Sequence, residues 1–301
     1  MKNVVIFGYS LQGTILAREI YDNDEYNLYG FADNSKAKQG FYAYGEPIRS
    51  INDLKQLDHE IGISVIIASG SYLEIIEQLE VHHIRIEGVY REGEICKYPF
   101  PQFSNLDYSK KIKFYAGDIY DEIHRNEADL IGLSINKADD KHILHDIRKP
   151  YPIADNSIDR YEAEEVFEYI DEKDLVQTIN EIYRILKKGA VLRVSMPDYY
   201  SPYMKRRSMT DRNGNIIFDA GGGGKYDESG KICGGQVFFA TYDNFRNILA
   251  KTQFQKIDWL CYYTKDEILH KKYINMENGY LNRTDNNKTD DFCLVVDCYK
   301  D

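Results

Sequence analysis

The chain has 301 residues, with 38 Lys and Arg against 49 Asp and Glu, which gives a formal net charge of −11. At about 150 residues per domain, this length predicts two domains. The acidic balance argues against non-specific nucleic-acid binding, because such proteins need a basic surface to release counterions from phosphates. A hydrophobic content of 43% is enough for ordinary cores.

The apolar runs and the cysteines bear on location. No apolar run approaches the ~18 residues that a membrane-spanning helix needs. The first apolar run, at residues 4–7, is too short for a signal peptide and predicts a β-strand instead. The 5 cysteines form no CxxC pair, and the histidines lack HExxH spacing. We therefore expect a cytoplasmic protein with reduced thiols, no membrane span and no metal site.

From residue 3 to residue 90, short apolar strands alternate with helical stretches. The predicted strands are 4–7, 27–31, 65–68 and 84–89, and the predicted helices are 14–21 and 72–79. Such alternation favours a parallel sheet with crossover helices. The segment 97–105 then shows two prolines and no periodicity, which indicates a linker.

The alternation begins again after the linker. The predicted strands are 112–115, 130–135, 142–145 and 191–195, with a long helix at 172–186. We therefore expect an α/β protein of two Rossmann-like domains, each a mostly parallel sheet with flanking helices. The first domain is assigned to residues 1–100. The second is assigned to 106–301, with an inserted substrate loop at about 200–236.

The turn after the first strand is rich in small residues. It reads GYSLQG, a GxGxxG pattern with Ser10 at the position of the second glycine between Gly8 and Gly13. A small residue there lets a phosphate approach the backbone at a helix N-terminus. Asp33 follows 20 residues after Gly13, where its carboxylate could accept a ribose hydroxyl. These four residues predict a nucleotide site, and a tight turn with a helix cap and no ligand is the alternative.

The first 90 residues also resemble a known family. The segments VVIFG, YGFADN and GEPI, at residues 4–8, 29–34 and 45–48, are similar to the N-terminal domain of bacterial sugar O- and N-acyltransferases. That resemblance implies a small Rossmann-like domain that holds a UDP-sugar. It does not imply acyl transfer, because the chain has no hexapeptide repeats for the β-helix that carries the family's catalytic histidine.

The second half carries an ordered set of motifs. HDIRKPYPIADNSID spans residues 145–159, EIYRILKKGA spans 181–190, and a strand then leads to Pro197-Asp198. Together they resemble class I S-adenosylmethionine-dependent methyltransferases, in particular the small-molecule and glycan group. The resemblance implies the cofactor S-adenosylmethionine, with Asp146 facing the adenine amino group and Ile147 flanking the ring. It also implies that Gly117 lies in the first cofactor loop and that Asp159, which opens the fourth strand, is a cofactor-binding residue.

The chain departs from that family at two places. The first loop holds only Gly117, where the family has several glycines, and the second strand offers Ser134, where the family has an acidic residue for the ribose. The loss of a charge-assisted pair weakens binding by ~1.5 to 3 kcal/mol. Cofactor binding survives this loss if Asp118 or Asn136 compensates, and an inactive methyltransferase fold is the alternative.

The inserted loop holds a basic run of Lys205, Arg206 and Arg207, which could pair with a diphosphate. A solvated basic stretch is the alternative. An Asn213-Gly214 hairpin signal and a run of glycines follow.

The main hypothesis is an enzyme of polysaccharide biosynthesis that methylates a sugar nucleotide or a surface-glycan precursor. A base must take the acceptor proton, and His145, Asp198 and Tyr199 are candidates because they follow strands. One alternative is a catalytically degenerate methyltransferase fold that binds a nucleotide sugar and serves as a scaffold. An NAD-dependent oxidoreductase is a third reading, disfavoured because no YxxxK pair lies in the first domain, residues 1–100. Nucleic acid is not an expected partner, and assembly with a second copy of the chain is left open.

Overall fold

The computed structural model describes residues 1–21, 24–91, 93–284, 286–287 and 292–301. The chain divides into two compact units. Unit 1 comprises residues 1–101 with 138–140, and unit 2 comprises 102–137 with 141–301. Each unit is built on its own sheet with flanking helices, so the prediction of an α/β fold is confirmed. Among the described residues, no helix is both long enough and apolar enough to cross a membrane.

Unit 1 is a five-stranded sheet in the order β2-β1-β5-β6-β7. Its strands and helices are β1 Lys2–Phe7, α1 Leu11–Tyr21, β2 Tyr26–Ala32, β3 Tyr42–Ala43, β4 Glu46–Pro47, α2 Ile51–Ile61, β5 Ser64–Ile67, α3 Tyr72–Val81, β6 Ile86–Arg91 and β7 Glu94–Lys97. The strands β2, β1, β5 and β6 are parallel, whereas β7 is antiparallel to β6. The strand order reverses between β1 and β5, which is where open α/β sheets bind ligands.

Unit 2 is an eight-stranded sheet in the order β10-β9-β8-β11-β12-β19-β17-β18. Its elements are β8 Lys113–Ala116, α4 Glu122–Asn126, β9 Leu130–Ser134, β10 His142–Leu144, β11 Ile158–Glu164, α5 Glu172–Ile185, β12 Leu186–Pro197, α6 Pro202–Arg207, β13 Met209–Thr210, β14 Ile216–Phe218, β15 Gly223–Tyr226, β16 Ile232–Gly235, α7 Tyr242–Leu249, β17 Lys256–Tyr263, β18 Leu269–Lys271 and β19 Cys293–Tyr299. The first five strands in this order are parallel, and β19 runs antiparallel to β12. The order reverses between β8 and β11, which places a crevice at the carboxyl ends of these two strands.

The two faces of the unit 2 sheet differ in chemistry. One face carries apolar side chains such as Tyr161 and Leu192, which belong to the same core as the buried residues of α5. Because side chains alternate along a strand, the intervening residues point to the opposite face. These residues, here called the polar face, are charged and buried: Arg160, Glu162, Glu164, Arg193 and Asp297. Ion pairs and hydrogen bonds therefore hold this side of the sheet together, beside small apolar clusters that include Tyr115 and Val295.

Candidate cofactor and substrate site

Gly117 forms the turn at the carboxyl end of β8. Its φ of +93° is a left-handed conformation that favours glycine, and its N–H donates to the Leu133 carbonyl at 2.9 Å. The nearest atom to a Cβ placed there is a Val166 methyl group at 3.4 Å, so the turn is not enclosed by other backbone. Asp118 follows and accepts a hydrogen bond from the Tyr120 hydroxyl at 2.9 Å. A ligand in the crevice can therefore approach this backbone closely.

Asp146 and Ile147 lie in the loop after β10. The Asp146 carboxylate accepts two hydrogen bonds from the Arg148 guanidinium, at 2.9 and 2.7 Å, and this pairing lowers its pKa. The carboxylate is partly exposed and has lone pairs to spare for a ligand amino group. Ile147 is instead buried in the apolar core, so the expectation that it offers an open flank for a ring is not met.

His145 is a packing group in this structure. Its ring centroid lies 5.0 Å from that of Phe103 and 4.7 Å from that of Tyr151. Its Nε2 is buried and has no hydrogen-bond partner among the described residues, and burial lowers the pKa of the ring. This packing of Nε2 among aromatic rings does not support His145 as the base, and that assignment stays a prediction.

Two predicted cofactor residues have structural partners instead. Ser134 is buried, and its hydroxyl oxygen accepts from the backbone N–H groups of Asn136 at 3.0 Å and Lys137 at 3.1 Å, which closes the turn after β9. Asp159 lies at the amino end of β11, where it accepts from Lys187 Nζ at 2.8 Å. A seven-residue strand is about 20 Å long, so Asp159 lies far from the carboxyl ends, and its prediction as a cofactor residue is wrong.

The other two predicted bases are buried. The Asp198 carboxylate accepts from the backbone N–H groups of Tyr200 at 2.9 Å and Tyr263 at 2.6 Å, and burial raises its pKa to about 7. The Tyr199 hydroxyl donates to the Asp219 carboxylate at 2.8 Å, and burial raises its pKa far above the ordinary value. A phenol with a raised pKa that donates to a carboxylate cannot act as a base. Through these hydrogen bonds, both side chains instead hold the segment after β12 in place.

The sequence analysis missed an acidic cluster at the carboxyl end of β11. Glu164, Glu165 and Glu168 form it, and it is here called the acidic edge. Glu165 has a φ of +57°, which is rare for a residue with a side chain and is concentrated at functional sites. Its carboxylate lies 3.1 Å from Arg283 Nη1, and burial raises its pKa to about 7. Three acids within five residues, directly after a strand, were the available signal.

The rest of the acidic edge is more deeply buried. Glu168 is fully buried, and its Oε2 has no hydrogen-bond partner among the described residues. Burial and then the neighbouring Glu165 raise its pKa well above the ordinary value. Glu164 accepts from the backbone N–H groups of Asn282 at 2.8 Å and Arg283 at 3.2 Å. Most buried polar atoms in proteins have a partner, so the orphan oxygen of Glu168 needs an explanation.

A cavity of about 510 Å³ lies among α6, the β13–β14 hairpin and the segment before α7. Its lining combines aromatic side chains with amides, one acid and one lysine: Glu172, Tyr199, Tyr200, Lys205, Thr210, Gly214, Asn215, Ile216, Val237, Phe238, Phe239, Thr241 and Asn244.

Of the three predicted basic residues, only Lys205 lines this cavity. It also pairs with Glu267 at 2.9 Å. Arg207 pairs with the buried Asp219 carboxylate, and Arg206 is exposed outside the lining.

In unit 1 the predicted nucleotide residues have hydrogen-bond partners within the chain. Ser10 Oγ accepts from the Gly13 N–H at 3.2 Å and caps α1. Asp33 accepts from the backbone N–H of Tyr9 at 3.0 Å and from Lys38 Nζ at 2.7 Å. Burial opposes ionisation of Asp33, but Lys38 and two backbone N–H groups outweigh it and lower its pKa.

A glycine is required at two positions of this loop. A Cβ on Gly13 would lie 2.1 Å from the Gly8 carbonyl oxygen, and a Cβ on Gly8 would lie 2.5 Å from the Ala68 carbonyl oxygen. These contacts account for the glycine pattern without a ligand, and nucleotide binding here stays a prediction.

The geometry of unit 2 is that of a Rossmann-like domain. Its strand order reverses at the open Gly117 turn, and acidic residues line the carboxyl ends of its strands. Residues 111–194, which span β8 to most of β12, match the methyltransferase domain family. This match confirms the predicted methyltransferase resemblance and supports S-adenosylmethionine as the cofactor. No curated protein matches the chain.

Solved structures with similarity to the chain include two S-adenosylmethionine-dependent methyltransferases. The one from Thermotoga maritima is 13% identical, with 66% of this chain and 84% of that chain covered and a TM-score of 0.36. The one from Mesorhizobium loti is 13% identical, with 63% and 90% covered and a TM-score of 0.37. UDP-D-quinovosamine 4-dehydrogenase from Vibrio fischeri is 26% identical, with 29% and 75% covered and a TM-score of 0.26. The described residues contain no group of three or more His, Cys, Asp or Glu placed to hold a metal ion.

Proposed function

We propose that the chain is a methyltransferase that transfers the methyl group of S-adenosylmethionine to a hydroxyl of a sugar nucleotide or surface-glycan precursor. The observation that carries the proposal is the methyltransferase-domain match over 111–194, because those residues build the strands on both sides of the Gly117 crevice. The match does not favour a degenerate scaffold.

Three residues fit the cofactor. The Gly117 turn leaves its backbone open to close approach, and Asp118 follows it at the crevice. Asp146 keeps a partly exposed carboxylate for a ligand amino group. When bound, S-adenosylmethionine supplies an electrophilic methyl group. The residues of the chain hold and orient the reactants, which is the main contribution a protein makes to such a displacement.

The cavity beside α6 is the proposed site for the sugar and phosphate groups of the acceptor. Two of its lining residues, Val237 and Phe238, donate their N–H groups to the Glu168 carbonyl, so the cavity borders the acidic edge. Aromatic rings such as Tyr200 and Phe239 offer flat apolar surfaces to a sugar ring, and Asn215 and Asn244 offer amide donors and acceptors. Lys205 supplies a positive charge for a phosphate group. This lining supports a phosphorylated sugar over a purely apolar acceptor. In unit 1, the Gly8 turn is proposed to hold a nucleotide, supported by its position where the strand order reverses.

Calorimetry with S-adenosylhomocysteine tests the proposal. Removal of the Asp146 carboxylate leaves a ligand donor unpaired, at a cost of ~1 to 3 kcal/mol. We expect Asp146→Ala to weaken binding by about 5- to 150-fold. Lys205→Ala is the control and should leave the dissociation constant unchanged, because Lys205 lines the acceptor cavity. Absence of binding by the wild-type protein at millimolar ligand would contradict the proposed function.

A further inference from the structure

The position of Glu165 makes it reachable from the crevice. It follows β11 directly, at the point where the strand order of unit 2 reverses, and its N–H donates to the Ser195 carbonyl at 2.8 Å. That bond holds the residue in its left-handed conformation, with φ +57°. The side chain is 17% exposed, whereas those of its neighbours in the acidic edge are buried. Glu165 is thus the member of the acidic edge that a ligand can contact.

Glu168 supplies an independent observation. Its Oε2 is fully buried and has no partner among the described residues, although the adjacent Gln236 amide lies 3.5 Å from its other oxygen. An unpaired carboxylate oxygen in the interior is costly unless the group holds a proton or meets a ligand. Burial and then the charge of Glu165 raise the pKa of Glu168, so the protonated form of Glu168 is favoured.

From this geometry we infer that Glu165 is the catalytic residue that accepts the proton of the acceptor hydroxyl. The inference rests on the proposed function. In the reaction, the acceptor oxygen forms a bond to the methyl carbon of a sulfonium donor, and the carbon–sulfur bond breaks with its electron pair left on sulfur. The hydroxyl proton passes to the Glu165 carboxylate, so atoms and charges balance.

The groups around Glu165 fit its role as a base. Arg283 Nη1 lies 3.1 Å from the Glu165 carboxylate and is 53% exposed at its side chain, so an entering acceptor can displace it. Cys293 Sγ lies 3.8 Å from the other oxygen of the same carboxylate. Glu164 contributes a further negative charge, and Tyr169 borders Glu168. A base works best when its pKa is near the operating pH, and the pKa of Glu165 is raised to about 7.

Carbon-13 NMR of the glutamate side-chain carboxyls tests the protonation of Glu165 without any substrate. In the wild-type protein we expect a resonance that titrates near pH 7 and disappears in Glu165→Gln. In Glu164→Gln, loss of the like charge should move that midpoint towards the ordinary glutamate value of about 4.3. Glu228→Gln, an exposed acid in the inserted loop, is the matched control and should leave the Glu165 midpoint unchanged. A Glu165 midpoint at the ordinary value in the wild-type protein would overturn the inference.

Turnover tests the catalytic role. With S-adenosylmethionine and UDP-N-acetylglucosamine as the acceptor probe, release of S-adenosylhomocysteine by Glu165→Gln should fall by about 10²- to 10⁴-fold. Its calorimetric affinity for S-adenosylhomocysteine should match that of the wild type. If Glu165→Gln turned over at the wild-type rate, the inference would be overturned and the proposed function would stand. Failure of the wild-type protein to bind S-adenosylhomocysteine would overturn the proposed function and the inference with it, even if the NMR midpoint is near 7.

Discussion

Arg193 joins three segments of unit 2 through one buried side chain. Its guanidinium donates to both Asp297 oxygens, each at 2.7 Å, and to the carbonyls of Asn275 at 2.7 Å and Gly279 at 2.6 Å. Arg193 and Asp297 are each 1% exposed. Burial of two charges is costly, and the bidentate geometry with two further carbonyl acceptors offsets that cost. The segment at 275–279 is therefore fixed to the polar face by this residue.

Arg193→Ala should strongly destabilise unit 2, because it leaves the Asp297 carboxylate buried with an uncompensated charge. The expected loss is about 3–5 kcal/mol in the free energy of unfolding, measured by urea titration. The control is Lys272→Ala, which removes an exposed pair with Asp258 at 2.6 Å. That variant should lose at most about 1 kcal/mol. Equal losses in the two variants would show that the Arg193 network contributes no more than a surface pair.

At the scale of elements, most strands were predictable because they are continuous apolar runs. The run at 65–68 became β5, and the helical periodicity at 172–186 became α5, Glu172–Ile185. The short pairs β3–β4 and β7 were not predicted, since a two-residue strand or an edge strand carries too few apolar positions.

The polar face was missed for a different reason. Arg160, Glu162 and Glu164 alternate with apolar residues, which predicts a half-exposed strand, but the structure buries both faces. Only tertiary contacts reveal that these charges pair with residues more than 30 positions away, as Arg160 does with Glu127. For the same reason, Asp198 matched its motif although hydrogen bonds within unit 2 already occupy it.

Packing of α1 on β1 depends on Gly13. A Cβ there would lie 2.1 Å from the Gly8 carbonyl oxygen, so Gly13→Ala must push the helix away from the turn. Such overpacking costs about 1–3 kcal/mol, against a gain of about 1 kcal/mol in helix propensity. We expect hydrogen exchange of peptides that cover residues 2–21 to accelerate. Gly70→Ala is the control, because no atom lies within 4 Å of its Cβ position. If hydrogen exchange were unchanged in Gly13→Ala, the turn would accommodate the added Cβ without a loss of stability.

At the scale of the whole molecule, buried ionisable groups set the dependence of stability on pH. His124 is fully buried; its Nδ1 lies 2.5 Å from Asp121, and its Nε2 lies 3.1 Å from the Tyr280 carbonyl. Burial lowers the pKa of His124, but Glu162 and Asp121 outweigh it and raise the pKa to about 9. The carboxyls of Asp198 and Glu165 have pKa values raised by burial to about 7. All three groups hold protons more tightly in the folded protein than in the unfolded chain.

Stability should therefore fall as the pH rises from about 5 to above 9. The folded state binds more protons than the unfolded chain, so rising pH destabilises it. The two carboxyls therefore lower the free energy of unfolding as the pH rises from their ordinary pKa values to about 7. The contribution of His124 is fully present below its unfolded pKa of 6.5 and is lost as the pH passes through about 9.

Urea unfolding at pH 5, 7 and 9.5 should show the decline, and His124→Gln should abolish the alkaline part, on the order of 2 kcal/mol. The decline between pH 5 and 7 should remain in that variant, because Asp198 and Glu165 are unchanged. His270→Gln, at an exposed position on β18, is the matched control and should keep the wild-type profile. A profile in His124→Gln that still falls between pH 7 and 9.5 as in the wild type would contradict a charged His124 in the folded protein.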